Sequence, residues 1–167
     1  MTSDPVPAGT SGTLTVLAPV PGRALPLSDV PDPVFAAAML GAGAAVDPDV
    51  GVVEAVSPVD GTLVKLHPHA YVVLTAGGVG VLVHLGIDTV QLAGAPFTLH
   101  VAEGALLRAG ERVVTWDVAA TTASGRSAVV PVIVMEVDPA HVSPAGAVPA
   151  RGHLAAGEAL LSVQSGA

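Results

Sequence analysis

Glycine or proline interrupts the apolar runs of this chain every few residues. The 167 residues include 19 Gly and 15 Pro, and the stretches between them are rich in Val, Ala and Leu, with aromatics at only 2 %. β-Branched side chains suit a pleated surface, while Gly and Pro end helices early, so the pattern predicts short strands joined by tight turns. Apolar runs recur at 14–18, 23–27, 52–55, 62–66, 71–74, 79–83, 97–101, 112–116, 128–137 and 159–163. That spacing predicts an antiparallel all-β domain. The run around Pro131 should begin after the proline or lie at a sheet edge, because proline cannot donate to a ladder. Residues 117–127, small and polar, read as a loop.

One short helix is expected at Pro33–Met39, with Asp32 as its N-cap and Pro33 at its first position. Two internal echoes stand out. Pro19-Val-Pro-Gly22 matches Pro58-Val-Asp-Gly61, and Ala109-Gly-Glu-Arg-Val-Val matches Ala156-Gly-Glu-Ala-Leu-Leu. Both are compatible with generic turns and with a fold of two similar halves.

The hydrophobic fraction of 51 % supports one core, and the length is short for two, so a single domain over residues 13–167 is expected after a flexible tail over 1–12. No window approaches the roughly 18 uninterrupted apolar residues of a membrane span. The N-terminal stretch lacks a basic region and an apolar segment, which predicts a cytoplasmic protein. A net charge of −8 with 6 Lys plus Arg leaves no basic patch for nucleic acid. Without cysteine, chemistry falls to His, carboxylates and hydroxyls.

The most informative segment runs from His67 to Val90 and reads as a β-hairpin: strand, Thr-Ala-Gly-Gly turn, strand. A two-residue turn at Gly77-Gly78 places Tyr71 opposite His84 with His69 diagonal to it. A four-residue loop, Thr75 to Gly78, places His69 directly opposite His84. Both put the two imidazoles on one face, whereas a three-residue loop would put them on opposite faces. The Gly-Gly pair favours the even loop. Two neighbouring neutral imidazoles suit phosphoryl transfer: one ring nitrogen attacks phosphorus while the other ring donates an N–H to the incoming oxygens. A lone strand histidine is otherwise an ordinary surface or core residue, and His100, His141 and His153 read as such. His67 shares its strand with His69. Asp32 and Asp88 flank this region in loops.

Val30-Pro-Asp-Pro-Val-Phe35, Ala55-Val-Ser-Pro-Val-Asp-Gly61, His69-Ala-Tyr71 and Val83-His-Leu-Gly-Ile-Asp-Thr-Val90 resemble, in order and spacing, the motifs of the glucose-type enzyme IIA of the bacterial sugar phosphotransferase system. The resemblance runs from Leu17 to Val163. It implies a flattened antiparallel β-sandwich or barrel with two similar halves and one or two very short helices. It also implies a phosphocarrier charged by the phosphocarrier HPr and discharged to a cysteine of an enzyme IIB domain. On matching positions His84 would be phosphorylated and His69 would stabilise the group. Phe35, Leu85 and Val90 would form an apolar docking surface, with Asp32 and Asp88 as its acidic elements. No cofactor is required, although zinc could bind between His69 and His84 in a complex. The chain departs from many relatives in carrying His67 where they have threonine and Leu85 where they have phenylalanine.

Three other readings compete with this one. A phosphorylation-dependent regulatory binding module with further protein targets fits the same surface. A zinc endopeptidase of related β fold would use His67 and His69 but lacks the further ligands. A biotin- or lipoyl-type carrier would need its lysine on a hairpin turn, and Lys65, the only lysine, lies in a strand pattern.

Overall fold

The computed structural model describes residues 12–164, so most of the expected tail lies outside the described residues. In chain order the strands are β1 (Thr13–Leu17), β2 (Gly22–Pro26), β3 (Ala42–Pro48), β4 (Val52–Val56), β5 (Gly61–His67), β6 (Ala70–Leu74) and β7 (Gly80–His84). They continue as β8 (Phe97–Leu99), β9 (Leu106–Leu107), β10 (Arg112–Asp117), β11 (Val130–Met135), β12 (Val142–Pro144), β13 (His153–Leu154) and β14 (Ala159–Gln164). The α-helices are single turns or little more: α1 (Pro33–Ala36), α2 (Val118–Ala123) and α3 (Ala147–Ala150).

Every strand pairing among the described residues is antiparallel. An eight-stranded sheet runs β13-β2-β3-β11-β7-β6-β5-β9, and two three-stranded sheets, β4-β10-β8 and β1-β14-β12, complete the sandwich. The main core lies between these layers around Trp116, Tyr71, Leu63 and Leu160, all sealed from solvent. Its polar tips are satisfied, as buried donors must be. Trp116 Nε1–H donates to Thr121 Oγ1 at 2.9 Å and the Tyr71 hydroxyl donates to the Val56 carbonyl at 2.7 Å. Burial holds the Tyr71 phenol far above its ordinary pKa, so it stays a donor.

The internal echoes prove equivalent in space. Leu17 N–H donates to the Pro58 carbonyl and Val56 N–H to the Pro19 carbonyl, at 2.9 and 2.8 Å. Ala18 exchanges backbone bonds with Gly157 and Glu158 as Ser57 does with Gly110 and Glu111. In each copy the glutamate carboxylate then accepts from the backbone three residues earlier, Glu111 from Arg108 and Glu158 from Ala155. The two halves are clasped by reciprocal bonds between matching turns.

Helix α1 forms where expected: the Asp32 side chain accepts from Val34 N–H at 2.9 Å and Pro33 occupies the first turn. It ends early because Ala38 adopts a left-handed conformation. Two expectations fail. Pro131 sits inside β11, a central strand paired with β3 on one side and β7 on the other. It is tolerated because the β7 ladder starts only at Val132↔Val83, so at Pro131 one of the two ladders has already ended. Residues 117–127 are not all loop, since α2 begins there under the Asp117 carboxylate, which accepts from Ala120 N–H. Strand β3 carries no local signal, because its Ala-Gly-Ala-Ala composition has little strand preference.

Along β7 the side chains alternate. Val81 and Val83 enter the main core, while Leu82 and His84 face the other side of the eight-stranded sheet. There Leu25, Leu27, Val30, Phe35, Ala45, Ile87 and Ile133 form a second, smaller core under α1. His84 stands at its margin.

Candidate active site

The hairpin register is the one expected to separate the histidines. β6 and β7 pair as Ala70↔His84, Tyr71↔Val83 and Leu74↔Gly80, across a three-residue loop of Ala76, Gly77 and Gly78 closed by a Thr75 N–H to Val79 carbonyl bond of 2.9 Å. Gly78 supplies the positive φ, +90°, that the last residue of such a loop requires. Strict alternation would then turn His69 away from His84. It does not, because His69 is not in a strand. β5 and β6 close at His67↔Ala70, leaving Pro68 and His69 as a two-residue turn. Freed from the pleat, the His69 ring lies against His84, with centroids 5.2 Å apart and planes at 70°. Its backbone carbonyl accepts from Leu85 N–H at 2.7 Å, tying the turn to the end of β7.

His84 is oriented from its other side. Its Nδ1 lies 2.6 Å from the Gly86 carbonyl oxygen, so Nδ1 carries the proton and donates it, leaving the Nε2 lone pair unengaged. Gly86 is held in turn. At its φ of +86°, an added Cβ would lie 2.5 Å from Thr89 Cγ2 and 3.0 Å from the Ser127 carbonyl. The buried Thr89 hydroxyl donates to the Leu85 carbonyl at 2.7 Å. Phe35 forms the site's wall, its ring 5.3 Å from that of His84.

Burial, which disfavours the charged ring, sets His84 below the ordinary imidazole range. The Gly86 bond and the charges of Asp32 and Asp88 oppose that shift without reversing it. His69 is lowered as well, first by burial and then by its neighbours His84 and His67. Both rings are therefore neutral at neutral pH, a state in which one ring can offer a lone pair and the other an N–H.

The surroundings differ from the expected docking surface. Leu85 has no exposed area and belongs to the main core. The reason is alternation: His84 faces outward, so its neighbour must face inward. Phe35 is also mostly buried, whereas Asp88 and Val90 are exposed, the latter by 60 %. The exposed apolar residues of the α1 segment are Val34, Met39 and Leu40, none of them among the residues expected to form the docking surface. The apolar spacing of the short helix, with Phe35 alone turned inward, was the signal available.

Two of the other histidines have surface partners, and for His153 that partner is a carboxylate. His100 contacts Thr115 and His153 contacts Asp49, both at exposed positions away from the site. Lys65 lies within β5, as the pattern indicated. His67, by contrast, joins the site, its ring stacked on that of His69 at 5.6 Å. Among the described residues no three His, Cys, Asp or Glu side chains are placed to hold a metal ion. His69 and His84 could share an ion only with ligands from elsewhere.

The family profile for the phosphoenolpyruvate-dependent sugar phosphotransferase system EIIA 1 matches residues 14–139. The chain belongs to this family. A glucose-specific EIIA component of Oceanobacillus iheyensis is 41 % identical over 127 residues, covering 75 % of this chain and 76 % of that protein. A glucose-specific EIICBA component of Streptococcus pneumoniae is 50 % identical over 107 residues, covering 63 % of this chain and 14 % of that much longer protein. The solved glucose permease IIA from Mycoplasma capricolum superposes with a TM-score of 0.81 at 31 % identity, covering 90 % of this chain and 96 % of that one. The EIIA fold is thus that of a β-sandwich, and the chain is a phosphocarrier component of a sugar phosphotransferase system. No helix among the described residues is long and apolar enough to cross a membrane. The zinc-peptidase alternative finds no support in these relatives.

Proposed function

We propose that His84 Nε2 accepts a phosphoryl group from phospho-HPr and passes it to the cysteine of an enzyme IIB domain, in the cytoplasm, and that the domain from Thr13 onward carries out both steps. The observation that carries this reading is the 2.6 Å bond from His84 Nδ1–H to the Gly86 carbonyl. On acceptance the donor's N–P bond breaks with its electron pair returning to the donor nitrogen, and the Nε2 lone pair forms the new N–P bond. No proton has to leave His84, because Nε2 carries none. The phosphorylated ring keeps its Nδ1 proton and so gains positive charge, which the Gly86 carbonyl, Asp32 and Asp88 stabilise. His69, 5.2 Å away ring to ring, donates an N–H to a phosphoryl oxygen. On discharge the N–P bond breaks, a P–S bond forms with the acceptor thiolate, and His84 leaves as neutral imidazole.

The docking surface in this reading is the apolar rim of Val34, Met39, Leu40 and Val90 around the buried wall of Phe35, flanked by Asp32 and Asp88. Exposed apolar area bordered by charge suits partners that must bind and leave quickly. The fused relative that carries IIC, IIB and IIA parts in one chain supports an enzyme IIB acceptor. The reaction as written draws on the chain's own imidazoles and needs no resident metal.

The test is intact mass after incubation with phosphoenolpyruvate, enzyme I and HPr. The wild type should gain one acid-labile phosphoryl group. His84→Gln should gain none, and His69→Gln should be charged yet slow to discharge. A folded wild type that takes up no phosphate would overturn the reading.

A further inference from the structure

The registers of β5, β6 and β7 put His67, Ala70 and His84 in one cross-strand row, through His67↔Ala70 and Ala70↔His84. Residues in such a row share a face. The two histidines stand two strands apart, roughly 10 Å at a strand spacing of about 4.8 Å, and only the Ala70 methyl separates them. That gap is about as wide as an aromatic ring with its van der Waals surfaces. His69, rising from the turn beyond Ala70, puts its imidazole against both neighbours, with 5.6 Å to His67 in a near-parallel stack and 5.2 Å to His84 at an edge.

Among the described residues no hydrogen bond orients the His69 ring, and the rings it meets are those of His67 and His84. Its backbone carbonyl, by contrast, is bonded to Leu85 N–H. A turn residue with two free side-chain torsions and no bond to its ring is held only by what it packs against. The exposed His67 ring is one such contact, stacked on His69.

We propose that His67 is a positioning residue, a flat backstop that stacks on His69 and keeps its imidazole against His84, where it meets the phosphoryl group. This inference rests on the carrier reading above for its kinetic consequence, though not for its structural one. The role requires a flat ring at position 67 and no proton chemistry there. Ring shape and charge can therefore be separated by substitution, and because the side chain is exposed both substitutions are compatible with folding.

The experiment compares wild type, His67→Ala and His67→Phe in two measurements. The first is NMR relaxation of the His69 ring in the unphosphorylated protein. The ring order parameter should fall in His67→Ala and stay at the wild-type value in His67→Phe. The second is single-turnover discharge from the phosphorylated protein to an enzyme IIB domain. Because mispositioning a group near a reacting centre by a fraction of an ångström is costly, His67→Ala should discharge about 10-fold more slowly, with melting temperature and total phosphate unchanged. His67→Phe should restore the rate. An unchanged His69 order parameter in His67→Ala, or a His67→Phe protein as slow as His67→Ala, overturns the proposal. A wild type that takes up no phosphate defeats the carrier reading instead, and the relaxation measurement then still decides whether His67 holds His69.

Discussion

Strand β6 has a turn at each end, and the two differ in kind. At one end Ala76, Gly77 and Gly78 form a three-residue loop that fixes which residue of β7 faces which residue of β6. No titratable side chain lies in it, and nothing packs within 4 Å of where a Cβ on Gly78 would sit. At the other end Pro68 and His69 form a two-residue turn that places a ring. The first turn governs register and leaves chemistry alone. The second escapes the pleat and brings together two rings that the register by itself would keep apart. Around one strand, then, the residues that obey alternation set the scaffold and the residue that breaks it completes the site.

The contrast is broken most severely by filling the gap over which His69 lies. Ala70→Leu should evict the imidazole and slow phosphoryl discharge by about 100-fold, since orientation is lost at the reacting centre. Rapid-quench measurement would check this, with circular dichroism showing the sheet intact. At the opposite turn, Gly78→Ala should cost roughly 1 kcal/mol of stability, because an L-residue is strained at φ near +90°. Chemical denaturation would register that loss while the transfer rate stays at the wild-type value. A slowed transfer in Gly78→Ala would mean that the two ends of β6 are not independent.

The same two turns mark the limit of what is legible in the sequence. The all-β class, the Asp32-capped helix and the pairing of His69 with His84 are readable from composition, capping and motif. The route to that pairing is not. Gly77-Gly78 suggests an even loop, yet Thr75 and Val79 close it one residue wider. The site survives because β5 and β6 close at His67↔Ala70 and leave His69 in the turn, a pairing that the strand pattern alone does not encode. The burial of Leu85 follows from simple alternation once His84 faces outward, and α2 is hidden by a Thr-rich stretch of low helix preference. The participation of His67 depends on a row spanning three strands.

Acidity gives a smaller test. His84 is lowered by burial, so its neutral form, the one the proposed transfer needs, persists to more acidic pH than in a free imidazole. Phosphorylation rate against pH should stay flat below about 6.5 before falling. The same depression bears on stability: the unfolded chain binds this proton more readily, so the contribution of His84 is complete above the unfolded pKa and is lost as pH falls through the lower folded one. Urea titrations at successive pH values, wild type against His84→Gln, would show it. The smallest change expected is in Asp88→Asn. Removing a charge that raises the His84 pKa should move the acid limb of the rate profile slightly further down, and an upward shift would contradict a field from Asp88 that favours the protonated ring.

Among the described residues strand β1 has a single partner, β14, paired from Thr13↔Gln164 to Leu17↔Ala159. During synthesis, therefore, β1 leaves the ribosome long before the strand it needs. Closing so long a loop adds only a logarithmic entropy cost, yet a topology built on distant pairings folds slowly. The three-stranded sheet can close only after synthesis has passed residue 164, and until then β1 presents an open edge to whatever the nascent chain meets.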